Sequence, residues 1–117
     1  MAPLLDEQQL AELRELMGPD FEGLLRAYLR DSRDRLLHLD LAIADQNWDI
    51  ARRQAHSLKG SSSNLGALAL AQHCQQLEQT LGRCRQEPEL IAGVAAAVVE
   101  LRALLGAVQT ELQKLLA

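Results

Sequence analysis

The sequence predicts an all-α fold, an up-and-down antiparallel four-helix bundle with a short N-terminal helix capping one end. Three observations support this prediction. Only 3% of the 117 residues are aromatic, so the core must be built from Leu and Ala, which favour helices. Apolar residues recur three and four positions apart along most of the chain, which is the spacing of one helix face. The breaks between these segments are short, so successive helices are expected to lie side by side and antiparallel.

Length and composition are those of a single globular domain spanning residues 1–117. A 12.9 kDa chain with 48% hydrophobic residues can bury a core without disulfides. Its net charge of −4 disfavours a protein that gains affinity for nucleic acid by neutralising phosphates. The N-terminus lacks the pattern of a signal peptide, and the longest apolar stretch has ten residues, against the ~20 of a membrane span. We therefore expect a monomeric cytoplasmic protein that binds neither nucleic acid nor membrane.

Capping residues predict the first two helices. Asp6 can cap a first helix over about 6–17, which a Gly-Pro pair ends. Asp20 opens a second helix that runs to about Asp45, so the bundle is expected to span about 20–116. The apolar stripe of the second helix steps by three and four and comprises Phe21, Leu25, Tyr28, Ser32, Leu36, Leu39 and Ile43.

Three more helices complete the predicted bundle. Asn47 can cap the third, Gly66 precedes a fourth from Ala67 to about Gln86, and Pro88 suits the first turn of the fifth. The apolar positions of the last two helices alternate four and three apart, as in a seam with a shallow crossing angle. They are Leu70, Cys74, Leu77, Leu81 and Cys84 in the fourth helix, and Val94, Val98, Leu101, Leu105, Val108, Leu112 and Leu115 in the fifth.

Leu37 and Leu41 lie one turn apart on the second helix, away from its apolar stripe. Two exposed leucines on one face need a cover. The first helix is the first candidate for this cover, and a docking partner is the alternative.

The two cysteines, Cys74 and Cys84, are ten residues apart in one predicted helix. They are separated by about 15 Å along the helix axis, whereas a disulfide needs Cα atoms within roughly 7 Å. Two reduced, buried thiols are therefore expected. His73 beside Cys74 raises the alternative of a metal or redox site, but no second ligand pair stands at a metal-binding spacing. We expect no metal and no resident cofactor.

The third helix presents a histidine to solvent. Its inward stripe is Ala51, Ala55, Leu58, Ser62 and Leu65. His56 projects roughly 140° from the middle of that stripe. A neutral imidazole, with an ordinary pKa of about 6.5, is a competent nucleophile at pH 7 and can hold a phosphoryl group on nitrogen.

Gly60 and Ser63 follow on the same face of the third helix. A glycine inside a helix costs roughly 0.5–1 kcal/mol relative to alanine, and on the solvent face it relieves no internal contact. We infer that it lets another protein approach the imidazole. Alternatively the helix ends at Lys59, with Gly60 as its cap. Because Leu58 and Ser62 keep the helical phase across the glycine, continuation is favoured.

Basic residues surround the histidine. Lys59 lies one turn after His56 and Arg52 one turn before it, and residues 47–66 carry a net charge of +2. Lys59 could neutralise part of a phosphoryl charge, while Arg52 and Arg53 could steer an acidic partner. For Arg52 an ordinary solvated position is the alternative. Since no acid–base set or phosphate-binding loop accompanies these residues, the site resembles half of an active site that a docking partner completes.

These residues carry a family resemblance. Residues 56–62 read HSLKGSS and residues 64–66 read NLG, which resembles the signature of histidine-containing phosphotransfer (Hpt) domains of two-component phosphorelays. Leu77 and Glu78 resemble the Leu-Glu pair of that family. The resemblance covers about residues 20–116, and the length fits a free-standing bacterial member.

The resemblance implies that His56 accepts a phosphoryl group from a phospho-aspartyl receiver domain of a hybrid sensor kinase and passes it to the receiver of a response regulator. Lys59 would contact the phosphoryl group, Gly60 and Ser63 would leave room for the receiver, and Glu78 would bind the other ring nitrogen and fix its tautomer. The protein would be a carrier without autokinase or ATP-binding machinery, and Mg²⁺ would belong to the receiver. A helical adaptor without phosphoryl chemistry is the alternative.

Overall fold

A computed structural model describes residues 3–116, which form helices and short connections without a strand among them. The α-helices are α1 (Glu7–Met17), α2 (Phe21–Ala44), α3 (Trp48–Asn64), α4 (Leu68–Arg83) and α5 (Ile91–Lys114). Single 3₁₀ turns, Gly18–Asp20 and Pro88–Leu90, lead into α2 and α5. Helices α2 to α5 pack against their neighbours in chain order. The predicted four-helix bundle is confirmed.

Helix α1 closes the end of the bundle at which α3 turns into α4. The Asp6 side chain caps α1 by accepting a hydrogen bond from the Gln9 backbone N–H at 3.0 Å, as predicted. The Asp6 backbone N–H donates to the Gly66 carbonyl at 2.8 Å, and the Gln9 side chain donates to the Ser63 carbonyl at 2.8 Å. Gly66 has φ +79, and a Cβ there would lie 3.1 Å from the Asp6 carbonyl oxygen. Only glycine fits this turn without strain.

The core contains one buried hydroxyl pair that joins α2 to α3. The fully buried large side chains are Leu25, Leu39, Leu58, Leu65, Leu70, Leu77, Leu81, Leu101, Leu105, Leu112, Val94 and Val108. Beside these apolar side chains, the Tyr28 hydroxyl lies 2.8 Å from the Ser62 hydroxyl. Ser62 itself is completely buried. The pair therefore satisfies two polar groups that have no access to water, and such satisfaction specifies how the two helices pack.

Tyr28→Phe is expected to lower the free energy of unfolding by about 1 kcal/mol, because Ser62 loses its buried partner. Burial raises the pKa of Tyr28 from 10.0 to about 12, although the hydrogen bond with Ser62 opposes the rise. The folded state thus holds the phenolic proton more tightly than the unfolded state. Wild-type stability should fall between about pH 10 and 12 through this group, and the variant should lack that component. Urea unfolding of wild type and variant at pH 8 and pH 11 measures the loss of stability and its pH dependence. If the free energy of unfolding changed equally with pH in the two proteins, the buried Tyr28 hydroxyl would not be the titrating group.

The predicted helix ends and apolar stripes need four corrections. Helix α4 ends at Arg83 rather than near Gln86, because its last turn tightens and the Cys84 backbone N–H bonds the Leu81 carbonyl three residues back. Asp20 precedes α2 without a side-chain cap, since the 3₁₀ turn leads directly into it. Leu115 is exposed because α5 ends at Lys114. In α2 the buried face is rotated slightly: Leu29 and Ala42 are buried, whereas Leu36 and Ile43 are only half-buried.

The prediction that the first helix covers Leu37 and Leu41 is wrong. These side chains are 55% and 56% exposed. Helix α1 lies against the opposite end of α2, where Arg14 stacks over the Phe21 ring with its guanidinium carbon 5.1 Å from the ring centroid. A helix of eleven residues placed at that end cannot reach the last turns of α2.

Helix α5 is more apolar than its longest uninterrupted run suggests. By length and composition alone, Pro88–Lys114 could cross a membrane. One such helix is a weak indication, since core helices of bundles meet the same test. Here the buried residues of α5 form the predicted seam against the bundle, and they are Val94, Val98, Leu101, Leu105, Val108 and Leu112.

Candidate histidine phosphotransfer site

Helix α3 holds His56 in its third turn with the ring directed to solvent. Asn47 caps the helix, and its side-chain oxygen accepts a hydrogen bond from the Ile50 backbone N–H at 3.2 Å. The opposite face is anchored in the core through Ala51, Ala55, Leu58 and Ser62. With that face buried, the His56 side chain is 63% exposed, as its helical phase predicts.

Gly60 lies inside α3, which continues unbroken to Asn64. The alternative that the helix ends at Lys59 is therefore wrong. A Cβ built on Gly60 would meet nothing within 4 Å. Since the fold has room for a side chain at this position, the glycine serves no internal packing and leaves bare backbone one turn from the imidazole.

One carboxylate joins the imidazole to the neighbouring lysine. His56 Nδ1 lies 2.8 Å from Glu78 Oε1, and Lys59 Nζ donates to Glu78 Oε2, also at 2.8 Å. Glu78 reaches α3 from α4, and its side chain is only 15% exposed. A carboxylate accepts hydrogen bonds, so Nδ1 carries the proton of the neutral ring and Nε2 keeps its lone pair. Among the described residues none bonds Nε2, which leaves it available for attack.

The charge of Glu78 is secured by its two partners. Burial alone raises the pKa of Glu78, but the hydrogen bonds from Lys59 and His56 outweigh burial and hold this pKa below its ordinary value of 4.5. Glu78 is therefore ionised at neutral pH and stays an acceptor for Nδ1–H. Its negative charge stabilises positive charge that develops on the ring during attack.

Glu78→Gln tests this electrostatic arrangement. Because the folded-state pKa of Glu78 is depressed, its ionised form stabilises the protein above about pH 4.5, and this contribution is lost as the pH falls below that value. We expect the variant to be less stable by about 0.5–1 kcal/mol at pH 7, with the difference shrinking towards pH 3.5. Urea unfolding at the two pH values measures it. A difference that stays constant would show that Glu78 contributes by packing alone.

The other predicted site residues are less closely tied to the imidazole. Ser63 is half-buried; its carbonyl accepts the Gln9 amide, and it lines with Gly60 an open hollow of about 500 Å³ beside Lys59. Arg53 is exposed, and no carboxylate of the described residues lies within salt-bridge distance of it. Arg52 is half-buried in the groove between α3 and α4.

The sequence interpretation missed Gly82, which lies under Arg52. A Cβ at Gly82 would come within 3.2 Å of Arg52 Cδ. The signal was present, because Gly82 is, like Gly60, an exposed glycine within a helix. Which residue it accommodates depends on the packing of α3 on α4, and that packing cannot be read from either segment alone.

The cysteines and His73 belong to the core and its edge. Cys74 and Cys84 are buried free thiols, as predicted. Burial raises the pKa of both, that of Cys74 to about 12 with a further contribution from the Glu78 charge, so neither is a thiolate at neutral pH. His73 Nε2 lies 2.9 Å from the Ala97 carbonyl oxygen and donates to it. Within residues 3–116 no three His, Cys, Asp or Glu side chains cluster as a metal site would require.

Residues 23–115 match the family model described as the Hpt domain. The chain belongs to the Hpt domain family. This Hpt domain is 38% identical over 76 residues to the sensor protein TorS of Escherichia coli, a match that covers 64% of this chain and 8% of TorS. It is also similar to the crystal structure of histidine-containing phosphotransfer protein B (HptB) of Pseudomonas aeruginosa. That likeness has 34% identity and a TM-score of 0.69, and it covers 95% of this chain and 98% of the other.

The comparisons agree with the geometry of the site. Membership of the family and both relatives support histidine phosphotransfer in a phosphorelay, with receiver domains as the class of partner. Hpt domains act as phosphotransfer carriers. This Hpt domain spans a small part of TorS, so the activity of that whole sensor does not follow from the match.

Proposed function

We propose that this Hpt domain is a phosphorelay intermediate. It accepts a phosphoryl group on His56 from a phospho-aspartyl receiver domain of a hybrid sensor kinase and passes it to the receiver of a response regulator. The observation that carries the proposal is the exposed ring of His56, whose Nδ1 is bound by Glu78 at 2.8 Å while Nε2 has no partner among the described residues.

Transfer would proceed by attack of Nε2 on the phosphorus of the receiver's aspartyl phosphate. The N–P bond forms as the P–O bond to the aspartate breaks, and the aspartate leaves as a free carboxylate. The Nδ1–H remains hydrogen-bonded to Glu78, which offsets the positive charge on the ring. The phosphoramidate and the acyl phosphate are both reactive species, so the same steps run backwards towards the second receiver.

The neighbouring residues have distinct parts in this proposal. Lys59 has three donors, of which Glu78 takes one, and a remaining donor contacts the phosphoryl oxygens. Gly60 and Ser63 leave room for the receiver, and Arg53 attracts its acidic surface. The receiver supplies Mg²⁺, and this chain needs no cofactor of its own. As a carrier between signalling proteins, it would work as a monomer in the cytoplasm.

Incubation with receiver domains that carry labelled phosphate tests the proposal. We expect the label to move to this Hpt domain as an acid-labile, alkali-stable phosphoramidate, with loss of label from the receiver. A helical adaptor, the second reading of the sequence, would bind receivers without acquiring label. Binding without transfer across a panel of phosphorylated receivers would therefore refute the carrier function.

A further inference from the structure

Gly82 is an exposed glycine in α4 whose missing side chain makes room for another residue. A Cβ at this position would lie 3.2 Å from Arg52 Cδ. By contrast, a Cβ would meet nothing within 4 Å at the other glycines inside helices, which are Gly23, Gly60, Gly93 and Gly106. A helical glycine lowers stability by roughly 0.5–1 kcal/mol relative to alanine. At Gly82 this loss is accompanied by a specific contact, the aliphatic stem of Arg52 lying on the backbone of α4.

The position of this contact relates it to the phosphotransfer site. Arg52 precedes His56 by one turn of α3, and Gly82 follows Glu78 by one turn of α4. The Arg52–Gly82 contact thus lies one helical turn from the hydrogen bond between His56 and Glu78, along the antiparallel pair of α3 and α4. The stem runs across the groove towards α4 rather than along α3 towards the imidazole.

The groove offers one cation that has no carboxylate partner within residues 3–116. Its volume is about 580 Å³, and its basic lining residues are Arg52, Lys59 and Arg83. Lys59 is bound to Glu78 at 2.8 Å, and Arg83 is bound by both oxygens of Glu87, at 2.6 and 2.9 Å. No carboxylate of residues 3–116 lies within 4.0 Å of the Arg52 guanidinium.

We propose that Arg52, held in place by Gly82, binds a carboxylate side chain of the docking receiver domain. The inference rests on the proposed function and adds a recognition residue and its positioning residue to it. A guanidinium presents paired donors that fit a carboxylate in bidentate fashion. Because the stem already lies against α4, less side-chain freedom is lost when the pair forms. Because the Arg52 stem lies on α4 beside Gly82, Arg52 recognises the receiver, and Lys59 contacts the phosphoryl group.

Gly82→Gln tests the inference, because its uncharged, helix-favouring side chain fills the space over residue 82 that the Arg52 stem occupies. We expect unfolding stability that is equal or higher, together with a roughly 3- to 10-fold rise in the receiver concentration that gives half-maximal transfer. This is the range of an ion pair worth roughly 1 kcal/mol. The rise should exceed any change in the maximal rate. Gly93→Gln is the matched control, with an exposed helical glycine and open space around it, and it should transfer like the wild type.

Arg52→Gln should raise the half-maximal concentration as much as Gly82→Gln does, and the double variant should show no further rise. Both variants should also weaken the salt dependence of the interaction. An unchanged half-maximal concentration in Gly82→Gln, or fully additive effects in the double variant, would overturn the inference. A fall confined to the maximal rate would overturn it too, since Arg52 would then act on the phosphoryl group.

Equilibrium binding to a receiver activated with beryllofluoride separates this inference from the proposed function. If the wild type takes no label from receivers but binds them, the carrier function fails while the binding data still decide the part of Arg52. If transfer occurs and binding is the same in wild type and Gly82→Gln, the carrier function stands and the inference fails.

Discussion

His56→Gln is expected to reduce the label acquired from a phosphorylated receiver to background while the bundle stays folded. Gln has no nucleophilic nitrogen, so no N–P bond can form. The loss to stability should stay within about 1 kcal/mol, because the ring is 63% exposed and its one hydrogen bond among the described residues is to Glu78. Label transfer and thermal unfolding of the same preparation measure the two quantities.

His38→Gln is the matched control, since His38 is an exposed histidine in α2 and has no part in the proposed chemistry. It should acquire label at the wild-type rate. Label that persists in His56→Gln, or that survives acid in the wild type, would show that another residue is modified and would refute His56 as the acceptor.

Gly60→Gln should change stability and transfer in opposite directions. A side chain at Gly60 meets nothing within 4 Å, so the variant gains the helix propensity that glycine lacks, and the free energy of unfolding should rise by about 0.5–1 kcal/mol. The same side chain stands one turn from the imidazole, where the receiver must approach. We expect transfer to slow by at least about tenfold, as for a barrier raised by 1.4 kcal/mol. Rapid-quench transfer and urea unfolding test the two effects.

Gly93→Gln again provides the comparison, because its gain in helix propensity carries no change near His56. A Gly60→Gln variant that transfers at the wild-type rate would refute the argument that the bare backbone admits the receiver. A variant that is less stable than the wild type would instead indicate a structural demand for glycine that the open space around it does not reveal.

Much of the fold follows from local rules. Asp6 and Asn47 cap their helices through contacts three residues away, and such contacts are encoded within one short segment. The apolar phase of α3 places His56 on the solvent face and carries the helix through Gly60 for the same reason. Errors arose where other elements decide which residues are covered, as in α2, where Leu29 and Ala42 are buried and Leu36 and Ile43 are only half-buried.

Leu37 and Leu41 illustrate what helical periodicity cannot predict. Helical phase correctly separates them from the apolar stripe, but it does not say where α1 lies. The contacts of Asp6 and Gln9 with the turn between α3 and α4 hold α1 at the opposite end of the molecule, and both leucines remain exposed.

Periodicity and capping in this chain thus establish which residues form helices and which face of each helix is buried, because these properties depend on neighbours within one or two turns. The family resemblance, rather than periodicity, proposes Glu78 as the partner of His56. Two contacts follow instead from the register of α3 against α4. Glu78 binds both His56 and Lys59, and the Arg52 stem lies against Gly82. That register is set by how the buried faces of two helices interdigitate, so residues 19 to 30 positions apart in the sequence meet only once the bundle is packed.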